Sequence, residues 1–302
     1  MRILPSAVGR AVSEFLSPQN LREIRLRAGR PVQVWYGSKY RFLAADGLTD
    51  DPLIAFKVTA ADIESSVLAA TEHSVYAYND DIGRGFVSLS GGARMGICGE
   101  IVSDRGKIVT VKNFSSLNIR LPHEIAGCAA SIMSDIVRHH CRAMIISPPG
   151  AGKTTMLRDV ARSLSDDDPK CCVLVADERR EIACCEKGVP TMNVGMRTDV
   201  VTDGMKSHTF ECAVRAMRPD VIVTDEMFGQ EDVDVVREAV GCGIGVIATA
   251  HASDAAAFSA RSMYDRLVGD RLFERYYFLS ATFDGKRVKE VRDVDFKVCD
   301  VG

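Results

Sequence analysis

The sequence of 302 residues lacks the features of several protein classes. No apolar run approaches the ~20 residues that a bilayer span needs, and the first five residues carry neither the apolar core nor the cleavage site of a signal peptide. Neither sign of charge dominates, since 38 Lys and Arg residues stand against 41 Asp and Glu, so we expect no nucleic-acid partner. These absences predict a cytoplasmic protein that reaches a membrane only by docking peripherally on a partner.

The C-x-x-C spacing of zinc sites is also missing, although the chain has ten cysteines. Two thiolates need such spacing to reach one ion, and the pairs Cys171-Cys172 and Cys184-Cys185 are adjacent instead. Because the cysteines are spread through a long chain of cytosolic character, we expect reduced thiols. The simplest interpretation is that they serve as small apolar residues within strands.

The chain does contain 46% hydrophobic and 26% charged residues, the composition of a folded globular protein. Its first part, residues 1–125, consists of short β-type runs separated by glycine turns. The pattern predicts a hairpin from Arg30 to Leu43, a helix from Thr59 to Ala70, and further strands near Phe86 and Arg94. We therefore predict a smaller N-terminal α+β domain that serves as an interface to subunits or partners.

The second part, residues 126–302, alternates helices with continuous apolar strands. The predicted strands lie at 143–146, 173–175, 221–224 and 244–249, and a last hairpin runs from Tyr276 to Val291 with its turn at Asp284-Gly285. Apolar strands joined by helices form a parallel sheet that is covered on both faces. The predicted fold class is therefore α/β, with a mostly parallel sheet and a domain boundary near residues 122–127.

The strongest motif connects the first of these strands to the next helix. A phosphate-binding loop requires a strand, a glycine-rich loop and a helix N-terminus in that order. Gly150 and Gly152 would let backbone amides surround the β-phosphate, Lys153 would reach the β/γ oxygens, and the Thr154 hydroxyl would hold Mg²⁺. A glycine-rich turn with a surface lysine is the structural alternative. The predicted nucleotide-binding residues are Ser147, Pro148, Pro149, Gly150, Ala151, Gly152, Lys153, Thr154 and Thr155.

One position departs from the G-x-x-x-x-G-K-[ST] pattern, because Ser147 replaces the first glycine. If that position required a positive φ angle, a non-glycine residue there would cost roughly 1–2 kcal/mol. Such a cost would weaken nucleotide binding without abolishing it.

The second motif is a buried strand that ends in Asp225-Glu226. Open α/β sheets bind their ligands at the carboxyl ends of the strands. Asp225 is therefore predicted to hold Mg²⁺ through a water, and Glu226 to orient and deprotonate the water that attacks the γ-phosphate. A solvated acidic pair at the end of a strand is the alternative. The presence of the phosphate-binding loop favours the catalytic interpretation.

Two further strands also end in polar residues, Asp177-Glu178 and His251. Because these strand ends face one crevice in a parallel sheet, Asp177, Glu178 and His251 are predicted to converge on the γ-phosphate. A capping or partly buried histidine is the alternative for His251, and its position at a strand end favours the functional interpretation.

These segments occur in the order found in secretion and pilus-motor ATPases, the P-loop ATPases of type II and type IV secretion. Ser147 to Thr154 resembles their Walker A motif, Asp177-Glu178 their Asp box, Arg218 to Glu226 their Walker B strand and Thr249 to His251 their His box. The run from Leu21 to Pro31 is similar to the opening of their N-terminal domain. More narrowly, the whole chain resembles a subgroup of these ATPases that acts in endospore formation.

The resemblance implies a RecA-like core and a ring hexamer that hydrolyses Mg-ATP. It further implies that Glu178 and His251 sense the γ-phosphate beside Glu226, and that an arginine of a neighbouring N-terminal domain completes the site; Arg84, Arg94 and Arg120 are candidates. The implied partners are membrane-embedded components of a channel or secretion complex. The implied location of the protein is the cytosolic face of the mother-cell membrane.

The arginines between Leu21 and Pro31 allow three interpretations. A solvated face is the commonest meaning of such a run. A subunit interface or an acidic partner comes next, because arginine binds carboxylate and phosphate groups in a bidentate manner. Nucleic acid comes third, since no aromatic residues are interleaved with the arginines for base stacking.

Three functions therefore compete. A mechanochemical ATPase is favoured by the presence of both Asp225 and Glu226, whereas an ATP-gated scaffold with little turnover is favoured by Ser147. A DNA motor would bind DNA in a salt-sensitive manner and show DNA-stimulated hydrolysis.

Overall fold

A computed structural model describes residues 3–104, 107–122, 124–167, 171–280 and 287–300. The chain divides into two compact units, residues 1–123 and 124–302. None of the helices within these described ranges is long and apolar enough to cross a membrane.

The first unit is built on a seven-stranded antiparallel sheet with strand order β4-β3-β2-β1-β7-β6-β5. Its strands are β1 Leu21–Arg27, β2 Gln33–Tyr36, β3 Lys39–Ala44, β4 Gly47–Thr49, β5 Phe86–Ser88, β6 Arg94–Asp104 and β7 Lys107–Arg120. Its helices are α1 Ser6–Phe15, α2 Ala60–Ala70 and α3 Asn79–Gly83, with 3₁₀ turns at Val75–Tyr78 and Ser90–Gly92. The predicted hairpin is confirmed, because β2 and β3 pair in an antiparallel register.

Local sequence accounts for the start of α2. The Thr59 hydroxyl accepts a hydrogen bond from the Asp62 amide at 3.1 Å, and the Asp62 carboxylate accepts one from the Thr59 amide at 2.8 Å. This reciprocal capping box satisfies two amides that a helix start leaves without partners. The helix predicted from Thr59 to Ala70 is therefore confirmed, with Thr59 as its cap.

Alternation along β1 separates the core of this unit from its polar face. Ile24 and Leu26 are fully buried, whereas Arg25 and Arg27 lie on the opposite face and are half-exposed. Arg25 forms an ion pair with Glu23 and lies over the ring of Tyr40. The Arg25 guanidinium is thus engaged within its own sheet face.

The second unit contains an eight-stranded sheet with strand order β10-β9-β11-β12-β8-β13-β14-β15. Its strands are β8 Ala143–Ser147, β9 Val173–Asp177, β10 Thr198–Thr202, β11 Val221–Glu226, β12 Gly245–His251, β13 Arg275–Leu279, β14 Val288–Arg292 and β15 Val298–Cys299. Its helices are α4 Ala130–Arg138, α5 Lys153–Asp167, α6 Lys206–Cys212, α7 Gln230–Gly241, α8 Ala255–Ser259 and α9 Tyr264–Gly269. The first six strands of this order pair in parallel, and β14 and β15 add antiparallel edges.

Apolar residues cover both faces of this sheet. Successive residues of β8 belong to different clusters: Ile146 packs with Phe210 of α6 and Phe258 of α8, whereas Ile145 packs with Leu157 of α5. This two-residue alternation between two buried faces explains the continuous apolar strands of the sequence. The parallel pairing of β8, β9, β11 and β12 places their carboxyl ends at one edge of the sheet.

Parts of the second unit were not predicted from the sequence. Helix α6 continues beyond Cys212 into a π-helical turn at Ala213–Met217, which ends at Arg218 with a φ angle of 49°. The edge strand β10 was not predicted, because its sequence is only partly apolar and its residues are only partly buried. The predicted hairpin turn Asp284-Gly285 lies outside the described residues.

Candidate active site

The predicted phosphate-binding loop lies between β8 and α5. Gly150 and Gly152 have φ angles of 79° and 87°, a left-handed backbone that favours glycine. Ser147 is instead the last residue of β8 and lies opposite His251 of β12 in the sheet. The first position of the loop is therefore extended strand, and the backbone cost that a positive φ would impose on Ser147 does not arise.

Lys153 begins α5 and is buried against its own loop. Its ammonium group lies 3.0 Å from the Ser147 carbonyl, 3.2 Å from the Ser147 hydroxyl, 3.3 Å from the Pro148 carbonyl and 2.8 Å from His251 Nδ1. Burial lowers the pKa of Lys153 to about 8; the carboxylate of Glu226 opposes this shift and the charge of Arg261 adds to it. Lys153 is thus packed among acceptors at the carboxyl ends of β8 and β12.

Glu226 is the last residue of β11, and partners hold both of its carboxylate oxygens. Its Oε1 lies 3.3 Å from His251 Nε2, and its Oε2 accepts a hydrogen bond from Arg179 Nη1 at 2.9 Å. Because the Lys153 ammonium can only donate, His251 Nδ1 must accept, which leaves the ring proton on Nε2 facing Glu226. Lys153, His251, Glu226 and Arg179 therefore form one continuous polar row.

Asp225 precedes Glu226 and has a different environment. Among the described residues, neither of its buried oxygens has a hydrogen-bond partner. Lys206 Nζ lies 3.6 Å from Oδ1, which is a charge contact beyond hydrogen-bond distance. Burial raises the pKa of Asp225 to about 7; Lys206 opposes the rise, and Asp177 and Glu178 add to it. A buried carboxylate without donors is suited to a cation.

Asp177 ends β9 and Glu178 follows it, but the two carboxylates have separate partners. Asp177 is fully buried and accepts hydrogen bonds from the amides of Glu181, Ile182 and Ala183 at 2.8–3.0 Å. The expectation that Asp177 converges on the γ-phosphate is therefore wrong, because its carboxylate is committed to the turn that follows the strand. Glu178 is partly exposed, and its Oε2 lies 2.8 Å from Lys206 Nζ.

The remaining predicted loop residues surround the start of α5. Pro149 and Gly150 are exposed, Pro148, Gly152, Thr154 and Thr155 are partly buried, and Ala151 is buried. Thr154 and Thr155 lie in the first turn of α5. The structure thus brings together Ser147, Lys153, Glu226 and His251, with Asp225 and Glu178 beside them around Lys206.

Three cations at this edge were not anticipated. Arg179 pairs with Glu226 and lies 4.6 Å from the centre of the Phe228 ring. Arg287 Nη1 lies 3.9 Å from the position that a Cβ on Gly152 would occupy. Lys206 lies between Glu178 and Asp225. Arg179 follows Asp177-Glu178 directly, so its place at a strand end was available from the sequence, whereas Lys206 follows the unpredicted strand β10.

Comparison with known proteins gives a family and a fold. The family model described as "Sporulation stage III, protein AA" matches residues 1–297. The stage III sporulation protein AA of Bacillus subtilis is 30% identical in an alignment of 302 positions that covers 98% of this chain and 95% of that protein. The resemblance to this group that the sequence motifs indicated is therefore confirmed.

Two solved structures are similar to the chain over most of its length. The ATPase DotB of Legionella pneumophila has a TM-score of 0.63 with 15% identity, and the match covers 98% of this chain and 82% of that one. The pilus retraction motor PilT with bound ADP has a TM-score of 0.60 with 15% identity, covering 94% and 80% of the two chains. At this identity the likeness concerns the fold. It confirms the predicted α/β class with a RecA-like core and a smaller α+β domain before it.

Proposed function

The chain belongs to the sporulation stage III protein AA family, and from this we propose that it is a P-loop ATPase that hydrolyses Mg-ATP to ADP and phosphate during endospore formation. The observation that carries the proposal is the polar row Lys153, His251, Glu226, formed where three parallel strands of a RecA-like sheet end. Ligands of open α/β sheets bind at this edge.

Residues 147–155 would bind the phosphates of ATP. The left-handed glycines Gly150 and Gly152 leave room for phosphate oxygens to approach the backbone amides, and the start of α5 adds a positive partial charge. The Lys153 ammonium would exchange the carbonyls of its own loop for β/γ oxygens. Such charge-assisted hydrogen bonds contribute about 1.5–3 kcal/mol each.

The residues beside the loop fit a magnesium ion. Mg²⁺ is usually held by one or two protein oxygens together with phosphates and waters. The Thr154 hydroxyl would bind it directly and Asp225 through a water, and the unsatisfied oxygens of Asp225 support this assignment. The ion would neutralise charge on the phosphoryl oxygens.

Glu226 would act as the base toward the attacking water. Arg179 and His251 hold its two oxygens at the end of β11 and so fix its orientation. Proton abstraction requires a positioned carboxylate within about 3 Å of the water. His251 would contact the γ-phosphate from the end of β12, and Glu178, directly after β9, would help to position it.

The assembly and the partners are further parts of the proposal. We expect a homohexamer in which an arginine of a neighbouring subunit, Arg84, Arg94 or Arg120, completes the site. The ring would act at the cytosolic face of the mother-cell membrane and transmit nucleotide-driven motion to membrane-embedded components of a sporulation channel. The similarity in fold to the ATPase DotB and to the pilus retraction motor PilT supports this role.

One observation favours a second candidate, an ATP-gated scaffold of the same apparatus with little turnover. Both oxygens of Glu226 are engaged by cationic or polar partners. If these contacts persisted with ATP bound, Glu226 could orient a water only poorly. The protein would then bind ATP and assemble without rapid hydrolysis.

The test is Mg-ATP hydrolysis per subunit measured against protein concentration, with the oligomer mass determined on the same samples. Lys153→Ala should lose nucleotide binding, and Glu226→Gln should bind ATP but not hydrolyse it. A rate per subunit that rises as hexamers form supports the motor. Tight ATP binding without turnover above the Glu226→Gln level, in every assembly state, supports the scaffold and contradicts hydrolysis.

A further inference from the structure

Lys206 is a buried cation that the assigned chemistry does not use. It begins α6, directly after the loop that follows β10, and only 7% of its surface is exposed. Its ammonium group lies 2.8 Å from Glu178 Oε2, 3.6 Å from Asp225 Oδ1 and 5.9 Å from the centre of the Phe228 ring. Lys206 therefore links the acidic ends of two neighbouring strands, β9 and β11.

Lys206 contacts Asp225 at a longer distance than it contacts Glu178. Glu178 receives a direct hydrogen bond, whereas Asp225 receives only the charge of the ammonium group and, among the described residues, no hydrogen-bond donor. A buried carboxylate is costly unless a cation or donors compensate it. The nearby ammonium supplies that compensation while leaving the coordinating oxygens of Asp225 unused.

A metal ion that uses Asp225 would share this carboxylate with the ammonium of Lys206. Two cations a few ångströms apart in a poorly hydrated site repel each other strongly. The negative charge of nucleotide phosphates would offset that repulsion, because it adds anionic oxygens to the same site. The neighbouring carboxylates are already engaged, Glu178 by Lys206 and Glu226 by Arg179 and His251.

We propose that Lys206 is an internal counter-cation of Asp225 that competes with Mg²⁺, so that the metal enters this site only together with the nucleotide phosphates. The nucleotide part of this inference rests on the proposed ATPase function. Lys206 acts here as a positioning residue. Metal binding at Asp225 would displace the Lys206 ammonium toward Glu178, to which it keeps its hydrogen bond, and Lys206 thereby links the metal site to Glu178.

The test uses Mn²⁺ as the probe, with free Mn²⁺ followed by electron paramagnetic resonance in a titration of the full chain without nucleotide. Lys206→Met should bind Mn²⁺ at least tenfold more tightly than wild type, because the competing charge is gone. Lys206→Arg, which keeps the charge, should resemble wild type. The gain should vanish in Lys206→Met combined with Asp225→Asn. A folded Lys206→Met protein whose Mn²⁺ affinity equals or falls below that of wild type overturns the inference.

Should Lys206→Met fail to fold, Glu178→Gln provides the second measurement. Loss of the Glu178 charge leaves Lys206 with Asp225 as its carboxylate partner, so Mn²⁺ affinity in the presence of ADP should fall several-fold. Unchanged affinity would contradict the competition.

Binding of a fluorescent ADP analogue to wild type separates this inference from the proposed function. Absence of ADP binding together with a gain of Mn²⁺ affinity in Lys206→Met would refute the ATPase and retain the counter-cation. Normal ADP binding and hydrolysis without that gain would refute the counter-cation alone.

Discussion

The same dipeptide, Asp-Glu, ends two neighbouring parallel strands and serves two different purposes. At the end of β9, Asp177 is saturated by three backbone amides and Glu178 points toward solvent and Lys206. At the end of β11, Asp225 has no hydrogen-bond donor among the described residues, whereas Glu226 is held by Arg179 and His251. The first aspartate is structural, and the second is available to a cation.

The difference originates in the chain that follows each strand. After β9 the backbone turns back through Arg180, with a φ angle of 53°, and brings the amides of Glu181 to Ala183 onto the Asp177 carboxylate. After β11 the Met227 amide bonds instead to the Thr249 carbonyl of β12 at 2.8 Å. The next two amides, of Phe228 and Gly229, donate to the Asp232 carboxylate of α7 and not to Asp225. The function of a strand-end carboxylate depends on the loop after it.

The largest effect is expected at the strand end that is free of amides. Asp225→Asn keeps the shape of the side chain but removes the charge that would hold the metal, so ATP hydrolysis should fall about 100-fold. The melting temperature should change little, because removal of a buried carboxylate without donors offsets the loss of its charge contact with Lys206. Steady-state hydrolysis and thermal unfolding measure the two effects. Glu238→Gln, at an exposed carboxylate on α7, is the control and should leave both unchanged. Wild-type turnover in Asp225→Asn would remove Asp225 from the metal site.

The opposite result is expected at the other aspartate. Asp177→Asn places an NH₂ group against backbone amides that need an acceptor, and each buried polar group left unpaired costs about 1–3 kcal/mol. The free energy of unfolding in urea should therefore drop by about 2 kcal/mol. Asp199→Asn, at an exposed position of β10, should have no such effect. If Asp177→Asn lost activity at unchanged stability, the assignment of a structural role would be wrong.

These two strand ends illustrate which features of the site can be predicted from the sequence and which cannot. Both carboxylate pairs, the phosphate-binding loop and His251 could be placed at one edge of the sheet, because apolar strands joined by helices must run in parallel. The distinct roles of Asp177 and Asp225 could not, since they depend on amides that the following turns direct. The position of Lys206 could not be predicted either, because it follows β10, whose partly polar sequence gives little indication of a strand.

A third carboxylate extends the comparison to α5. Asp159 accepts hydrogen bonds from the amides of Gly127 and Ala129 at 3.0 and 2.8 Å and from Arg162. Burial of the carboxyl favours its neutral form, but these donors outweigh burial and hold the pKa of Asp159 below its ordinary value of 3.8. It resembles Asp177 in using backbone amides, and it ties the start of the second unit to α5.

Because the folded-state pKa of Asp159 is lowered, its stabilisation is present above the ordinary pKa and is lost as the pH falls through the lowered one. Asp159→Asn should cost about 1 kcal/mol of unfolding free energy near pH 7, the net value of a typical hydrogen bond. The difference from wild type should stay constant down to about pH 5 and shrink below pH 4. Urea unfolding of wild type and Asp159→Asn across this pH range is the measurement. A difference in unfolding free energy that grows on acidification would contradict a lowered pKa of Asp159.

The smallest effect is expected at Glu178, where the two strand ends meet through Lys206. The ion pair of Glu178 is partly exposed, and such pairs contribute about 0–1 kcal/mol, so Glu178→Gln should hardly change the melting temperature. Its turnover should fall roughly threefold to tenfold, because the amide still reaches Lys206 but no longer fixes the position of its charge beside Asp225. Glu186→Gln, exposed on the same loop, is the matched control. A loss of turnover as large as that of Asp225→Asn would place Glu178 in direct contact with the reacting phosphate. Both strand ends would then contribute equally to catalysis, although different loops follow them.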